Sequence, residues 1–394
     1  MGTKYSSKTE SKPGTIKNGA FRALGCIWIF ILLIGMVTPL QAQFAGGDGS
    51  SDNPYQISTP THLNNVRDYK DKYFILTANI DLDVSPFNSG DGWEPIGSYN
   101  SRFTGHINGN DFEISGLFIN RSGQKEIGLI GATNNGSVEN LTLLNVNITG
   151  YQNVGGLIGF SGNTVIKYVG VSGSITASDV VGGLAGMAWS GVVDKNYTST
   201  TIQASGNYAG GLVGSLYSID AHDNYARGSV TGDTRVGGAF GMISGTSTTR
   251  RNYSTGSVTG NNEVGGLIGY NGALVYSSFW DVQTSGQSTS NGGVGKNTSE
   301  MKSLSTYISE SWNTDTVWGI NSSNDGYPFL KERPPFNNGV GTESEPFEIA
   351  TATHLNEVRN YSSNYFILVD NIDLSSMSNW EPIDNFSGNF DGDG

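Results

Sequence analysis

A short glycine-rich phrase returns through the middle of the chain at an almost constant interval, and that interval restricts the fold more than any other feature. It reads Ile127-Gly-Leu-Ile-Gly131, then Val154-Gly-Gly-Leu-Ile-Gly159 and Val181-Gly-Gly-Leu-Ala-Gly186. Ala209-Gly-Gly-Leu-Val-Gly214, Val236-Gly-Gly-Ala-Phe-Gly241 and Val264-Gly-Gly-Leu-Ile-Gly269 complete the series. The closing glycines are 28, 27, 28, 27 and 28 residues apart. A fixed period of this size marks a solenoid, in which each repeat buries its apolar face against its neighbours.

Other columns run in phase. Tyr168, Tyr197, Tyr225 and Tyr253 are spaced 29, 28 and 28 residues, and the last three follow Asn196, Asn224 and Asn252. Ile175, Ile202, Val230 and Val258 form a third column. No helical apolar period runs through the repeats, and short apolar segments broken by Gly and Asn read as strands. Glycine fills 56 of 394 positions and charged residues only 14%, against usual values of about 7% and 25%. Glycine disfavours helix by ~1 kcal/mol per position relative to Ala. The expected architecture is therefore all-β, with several short strands per coil. Equivalent residues of successive coils then lie ~4.8 Å apart. Asn columns can hydrogen-bond along the axis, and Gly-Gly pairs permit tight bends or positive φ. The facing of the tyrosines stays open between interior stacking and an exposed aromatic strip able to bind sugars.

The Gly-Gly-Leu-x-Gly units resemble GLUG-motif repeats (Gly-Leu-any-Gly) of bacterial surface and secreted proteins. The resemblance covers roughly residues 103–283, with departures at Ala239-Phe240 and in the short first unit at Ile127. It implies a right-handed parallel β-helix on an exported protein, and no settled activity. Related repeats occur in large adhesins and beside the protease domain of immunoglobulin A-cleaving metallopeptidases.

Residues 1–42 read as a secretory signal. Lys4, Lys8, Lys12, Lys17 and Arg22 precede the apolar run Cys26–Val37, and Leu40-Gln41-Ala42 offers a cleavage site. The run is shorter than the ~20 residues of a membrane span, so membrane contact is expected only before cleavage. An uncleaved anchor is the competing reading. Cys26 is the only cysteine, so the processed chain would have no disulfide and no thiol nucleophile. Its net charge would be −17, which disfavours nucleic-acid binding.

A longer repeat lies outside the solenoid. Residues 49–82 return at 341–374, Trp93-Glu-Pro-Ile96 returns as Trp380-Glu-Pro-Ile383, and Phe103-Thr-Gly105 as Phe386-Ser-Gly388. Thr59 and Pro60 form a helix-start signal, followed by strands at Tyr73–Leu76 and Ile80–Leu82. This unit is read as a cap over the open end of a β-helix. The domain reading is cap and first strands at 43–102, repeats at 103–283, and a closing segment and linker at 284–335. Residues 336–394 are the start of a second cap and β-helix, expected to be part of a longer protein. Within the closing segment, Ser299-Glu-Met-Lys resembles a capping box, and Pro334-Pro335 the linker.

Chemistry is sparse. His62, His106, His222 and His354 include no His-Glu-x-x-His pair. No Gly-x-Ser-x-Gly elbow or phosphate loop occurs. Asp220, His222 and Asp223, with Arg227 nearby, are the densest polar cluster, read as a solvated turn rather than a site. Asp179, Arg235 and Glu263 read as turn residues beside the Val-Gly-Gly units. Asp81 with Asp83, and Asp391 with Asp393, could contribute to a Ca²⁺ site, but such sites need six to eight oxygens. No catalytic, cofactor-binding or metal-ligating residue is assigned. The expected function is a non-enzymatic exported adhesin or stalk binding glycans or surface proteins. The alternatives are a repeat region of a longer, protease-associated enzyme, and a polysaccharide-active β-helix.

Overall fold

A computed structural model describes residues 43–331, 336, 339, 341–374 and 380–392. The leader features, Cys26, Pro334-Pro335 and Asp393 lie outside the described residues. Among the described residues, no helix is long and apolar enough to cross a membrane.

The chain forms a parallel β-solenoid of about ten coils of about 28 residues. It begins in the cap. There β1 (Tyr55–Ile57) precedes helix α1 (Pro60–Asn65), β2 (Tyr73–Leu76) and β3 (Ile80–Asp81). Thr59 Oγ1 caps α1 by accepting from His62 N. β1 pairs parallel with β2 in register Tyr55↔Phe74, so the cap supplies the first coils itself. The third coil carries β4 (His106–Asn108), β5 (Glu113–Ser115) and the short strand Phe118–Asn120. β4 joins β2 to the strand Ser137–Thr149, and β3 pairs with β5. From there to Ile268–Asn271 the registers advance by 27 or 28 residues, as in Ile158↔Ala185 and Ala185↔Val213, and then by 26, as in Tyr253↔Phe279. A separate six-stranded ladder runs from Lys125–Ile127 to Asn262–Gly265.

The repeated phrase has a packing logic. Val154, Val181 and Val236 point inward and are fully buried, as are Leu157, Leu184, Leu212 and Leu267. At the departure, Ala239 stands in the leucine row and Phe240 in a row that holds Val213 and Ile268; both are fully buried. A small residue beside a large one preserves the filled volume. The glycines serve close approach rather than positive φ. A Cβ on Gly211 would lie 2.1 Å from Gly238 O. The left-handed backbone sits one position before each phrase, at Glu126, Asn153, Val180, Tyr208, Arg235 and Glu263, with φ of 50–61°. Asp179 is therefore not in the column of Arg235 and Glu263. It pairs opposite Gln152 and accepts from Asn207 N at 2.6 Å.

The asparagine column hydrogen-bonds along the axis. Asn196 Nδ2 donates to Asn224 Oδ1 at 3.0 Å, and Asn224 Nδ2 to Asn252 Oδ1 at 2.9 Å. Each amide also donates to a backbone carbonyl, of Ile166, Val193 and Ala221 respectively. All three are fully buried, and a buried amide keeps its place only when so satisfied.

The tyrosine column stacks, but outside the solenoid interior. Tyr197, Tyr225 and Tyr253 have centroid separations of 5.4 and 5.1 Å. The closing segment covers them, and Tyr307, Trp312, Trp318 and Tyr327 build a second apolar core with Phe279. Tyr168 is not a member: Gly170 lies opposite Tyr197, and the 29-residue step marks the slip. The helix at the expected capping box spans Thr298–Met301, with Asn297 and Glu300 as its capping box. The start therefore lies two residues before the expected one, because Asn297 Oδ1 accepts from Glu300 N while Glu300 accepts from Asn297 N.

The second cap repeats the first. β6 (Phe347–Ile349), α2 (Ala352–Glu357), β7 (Tyr365–Leu368) and β8 (Asn389–Asp391) form a three-stranded parallel sheet with its helix.

Candidate functional site

Two columns just ahead of the asparagines carry an ion ladder. Glu139, Lys167, Asp194, His222 and Arg250 are opposite one another in successive coils. Tyr168, Lys195, Asp223 and Arg251 follow them, all left-handed at φ of 52–57°. A regular strand would send consecutive side chains to opposite faces. The left-handed step brings them together: Lys195 Nζ lies 2.8 Å from Asp194 Oδ2, and His222 Nδ1 lies 2.8 Å from Asp223 Oδ2.

Asp194 and Asp223 are both buried. Lys167 Nζ also approaches Asp194, at 3.6 Å. Asp223 accepts from Arg251 Nε and Nη2 at 2.8 and 2.6 Å, and from Trp318 Nε1 at 3.0 Å. His222 Nδ1 lies between the two carboxylates, 3.0 Å from Asp194 Oδ1 and 2.8 Å from Asp223 Oδ2. Burial alone would lower the His222 pKa. Hydrogen bonds and charge from Asp194 and Asp223 outweigh it and push the imidazole up to about 9. Burial would raise the Asp223 pKa, but His222, Arg251 and Trp318 hold it well below the usual carboxylate range. Asp194 is lowered in the same way, against its own burial, by His222 and the lysines.

Asp194, His222 and Asp223 present three ligand atoms within 4.8 Å of one another. The donor set does not suit a metal. Lys195, Lys167 and Arg251 already neutralise the carboxylates, and a divalent cation would have to displace them against like charge. General acid–base work needs a group that reaches substrate, whereas these carboxylates face one another and Trp318.

The expected cluster is thus divided. Asp223 and His222 are in the buried ladder rather than a solvated turn. Asp220 pairs with Arg250 at 2.7 Å. Arg227 is elsewhere, bound to Asp325 at 2.7 Å and to Asn324. Lys195, Arg251 and Trp318 were missed. The first two were legible in the pairs preceding Asn196, Asn224 and Asn252, read down the period. Trp318 comes from the closing segment and left no such signal. His62 and His354 are capping residues, their Nδ1 atoms facing Ser58 N and Ala350 N at 3.3 and 3.2 Å. His106 stacks on Tyr73 and bonds Ser137 Oγ at 2.9 Å. Asp81 accepts from Asp83 N at 2.9 Å.

Accessible aromatic surface lies on another face. Trp189 and Tyr217 occupy one row, 48% and 41% exposed, with centroids 5.5 Å apart. The adjacent row carries Phe160, Met187, Ser215, Met242 and Tyr270, of which Phe160 and Ser215 are buried. Arg235 lies over Tyr270 at 4.6 Å and Tyr208 at 5.3 Å.

No family model matches the chain. Over 103 residues it is 50% identical to a protein of Evansella cellulosilytica described as "Putative Gly-rich membrane protein", covering 25% of this chain and 12% of that one. Over 140 residues it is 38% identical to "Halomucin" of Haloquadratum walsbyi, covering 33% of this chain and 1% of that one. The chain therefore spans a small part of both curated relatives. Its fold is similar to the crystal structure of a putative immunoglobulin A1 protease from Bacteroides ovatus. The TM-score is 0.58 at 20% identity, over 73% of this chain and 95% of that one.

Proposed function

We propose that this chain is an exported, non-enzymatic β-helix module of the GLUG-repeat type, working at the cell surface as a binding or stalk element. The observation that carries the reading is the exposed Trp189–Tyr217 pair on the parallel stack. Aromatic faces exposed on a rigid sheet suit the apolar faces of sugar rings, so glycans are the favoured ligand class. The names of the two sequence relatives, a membrane protein and a halomucin, support a surface location. The acidic chain disfavours nucleic acid as a partner.

The test is binding of the full chain to a panel of surface glycans, beside the same chain carrying Trp189→Ala and Tyr217→Ala. Binding without turnover, weakened at least tenfold by the substitutions, is expected. New reducing ends or unsaturated sugars from pectin or alginate, with or without Ca²⁺, would replace this reading with a polysaccharide-active enzyme. A repeat region beside a protease domain is the second reading, favoured by the name of the fold neighbour. Proteolysis of immunoglobulin A by the intact parent protein would support it.

A further inference from the structure

The exposed aromatic pair has a cation for a neighbour. Gly162 stands opposite Trp189, and Trp189 opposite Tyr217, so the three share one row at ~4.8 Å per coil. Gly162 has no side chain, and Arg102 occupies its place: a Cβ on Gly162 would lie 3.4 Å from Arg102 Nη1. Arg102 is half-buried. Its Cζ lies 4.5 Å from the centre of the Tyr99 ring and 4.9 Å from that of Phe160, and its Nε donates to Tyr99 O at 3.1 Å. These contacts fix the guanidinium without using its outer nitrogens. Among the described residues, Arg102 Nη1 and Nη2 have no hydrogen-bond or ion-pair partner. The other arginines of residues 43–331 each meet a carboxylate at 2.6–3.8 Å. An acidic chain thus keeps one guanidinium fork free, and keeps it beside its exposed Trp-Tyr pair.

We infer that the glycan held on this face is an acidic one, whose carboxylate or sulfate is taken by the Arg102 fork. The inference rests on the glycan reading above and adds the ligand's charge and direction to it. A planar guanidinium offers two parallel N–H donors that match an oxyanion, and packing against aromatic rings consumes neither. Trp189 and Tyr217 then take the apolar faces of neighbouring sugar rings. The polymer runs along the solenoid axis, with its charged unit over Gly162.

The test titrates the full chain with two matched pairs of polymers: polygalacturonate and its methyl ester for a carboxylate, dextran sulfate and dextran for a sulfate. At least one charged polymer should bind about tenfold or more tightly than its neutral partner, and the pair that shows this identifies the oxyanion. Arg102→Gln should bring the members of that pair within about twofold of each other, while Trp189→Ala weakens both. Arg102→Lys, which keeps the charge and loses the fork, should restore part of the preference. High salt should shrink the preference of the unsubstituted chain. Equal binding of charged and neutral partners would overturn the inference and leave the glycan reading standing. So would a preference that survives Arg102→Gln. No binding of any of the four polymers would also overturn it; no binding across the surface-glycan panel as well would remove the glycan reading beneath it.

Discussion

Two copies of one cap, written in nearly the same residues, reach different states in this molecule. In both, a helix capped by Thr59 or Thr351 lies over a parallel pair of strands. In both, the arginine after the helix reaches the carbonyl of the Trp-Glu-Pro-Ile motif: Arg67 to Glu94 O at 2.9 Å, Arg359 to Glu381 O at 3.0 Å. Phe44 stacks on Tyr55 as Phe336 stacks on Phe347. The copies part at the next step. Ile80–Asp81 is a strand, and its counterpart in Asn371–Leu374 is not. Ile80 and Leu82 are buried, while Ile372 and Leu374 are half-buried. Local propensity is the same in both. In the first cap, β3 pairs with β5 in register Ile80↔Ile114. A strand in a solenoid is thus a property of two coils, since its hydrogen bonds and half its burial come from the neighbour.

The sharpest probe of this contrast is amide hydrogen exchange. Amides of Ile80–Leu82 should exchange at least ~10³-fold more slowly than those of Ile372–Leu374, because the first group opens only with the stack. Equal protection would remove the contrast. Next is a matched pair of truncations followed by urea unfolding. Leu82→Ala should cost about 3 kcal/mol, as expected for a fully buried leucine, and Leu374→Ala about 1 kcal/mol or less.

The ion ladder belongs to the stack alone, since none of its residues lies in the second cap. His222 titrates higher in the folded chain than when unfolded, so its stabilisation is complete below about pH 6.5. It is lost as pH rises through about 9. The loss is on the order of 3 kcal/mol at most. Thermal melts from pH 6 to 10 should show it, and His222→Gln should flatten the profile. Asp223 works in the opposite direction, its contribution present above the ordinary carboxylate pKa and lost only in strong acid. The smallest effect is expected from tryptophan. Trp93→Phe removes a 3.0 Å bond to Leu129 O in the fourth coil and should cost about 1 kcal/mol. Trp380→Phe should lie near zero in the same melt.

Much of the fold was legible because a solenoid writes its geometry into spacing. The 27- and 28-residue steps of the closing glycines are the strand registers themselves. Asn196, Asn224 and Asn252 predicted their own ladder. The tyrosines were harder. Their spacing predicts stacking, but it cannot distinguish the inside of a coil from an outer face later covered by a closing segment. Tyr168 shows the same limit, since it lies two positions before Gly170, the residue facing Tyr197, and falls in the row of Lys195 instead. The ion ladder was half legible. Its charges recur at the right interval, but in a regular strand Asp194 and Lys195 would point apart.

By itself, the sequence determined the repeat, the parallel stacking and the interior rows of Val, Leu and Asn, because period and side-chain size act through nearest neighbours. The tertiary structure alone decided which charges are buried and which aromatics meet solvent. Those outcomes depend on contacts with residues far along the chain, such as Trp318 with Asp223, and no local pattern encodes what will cover a surface.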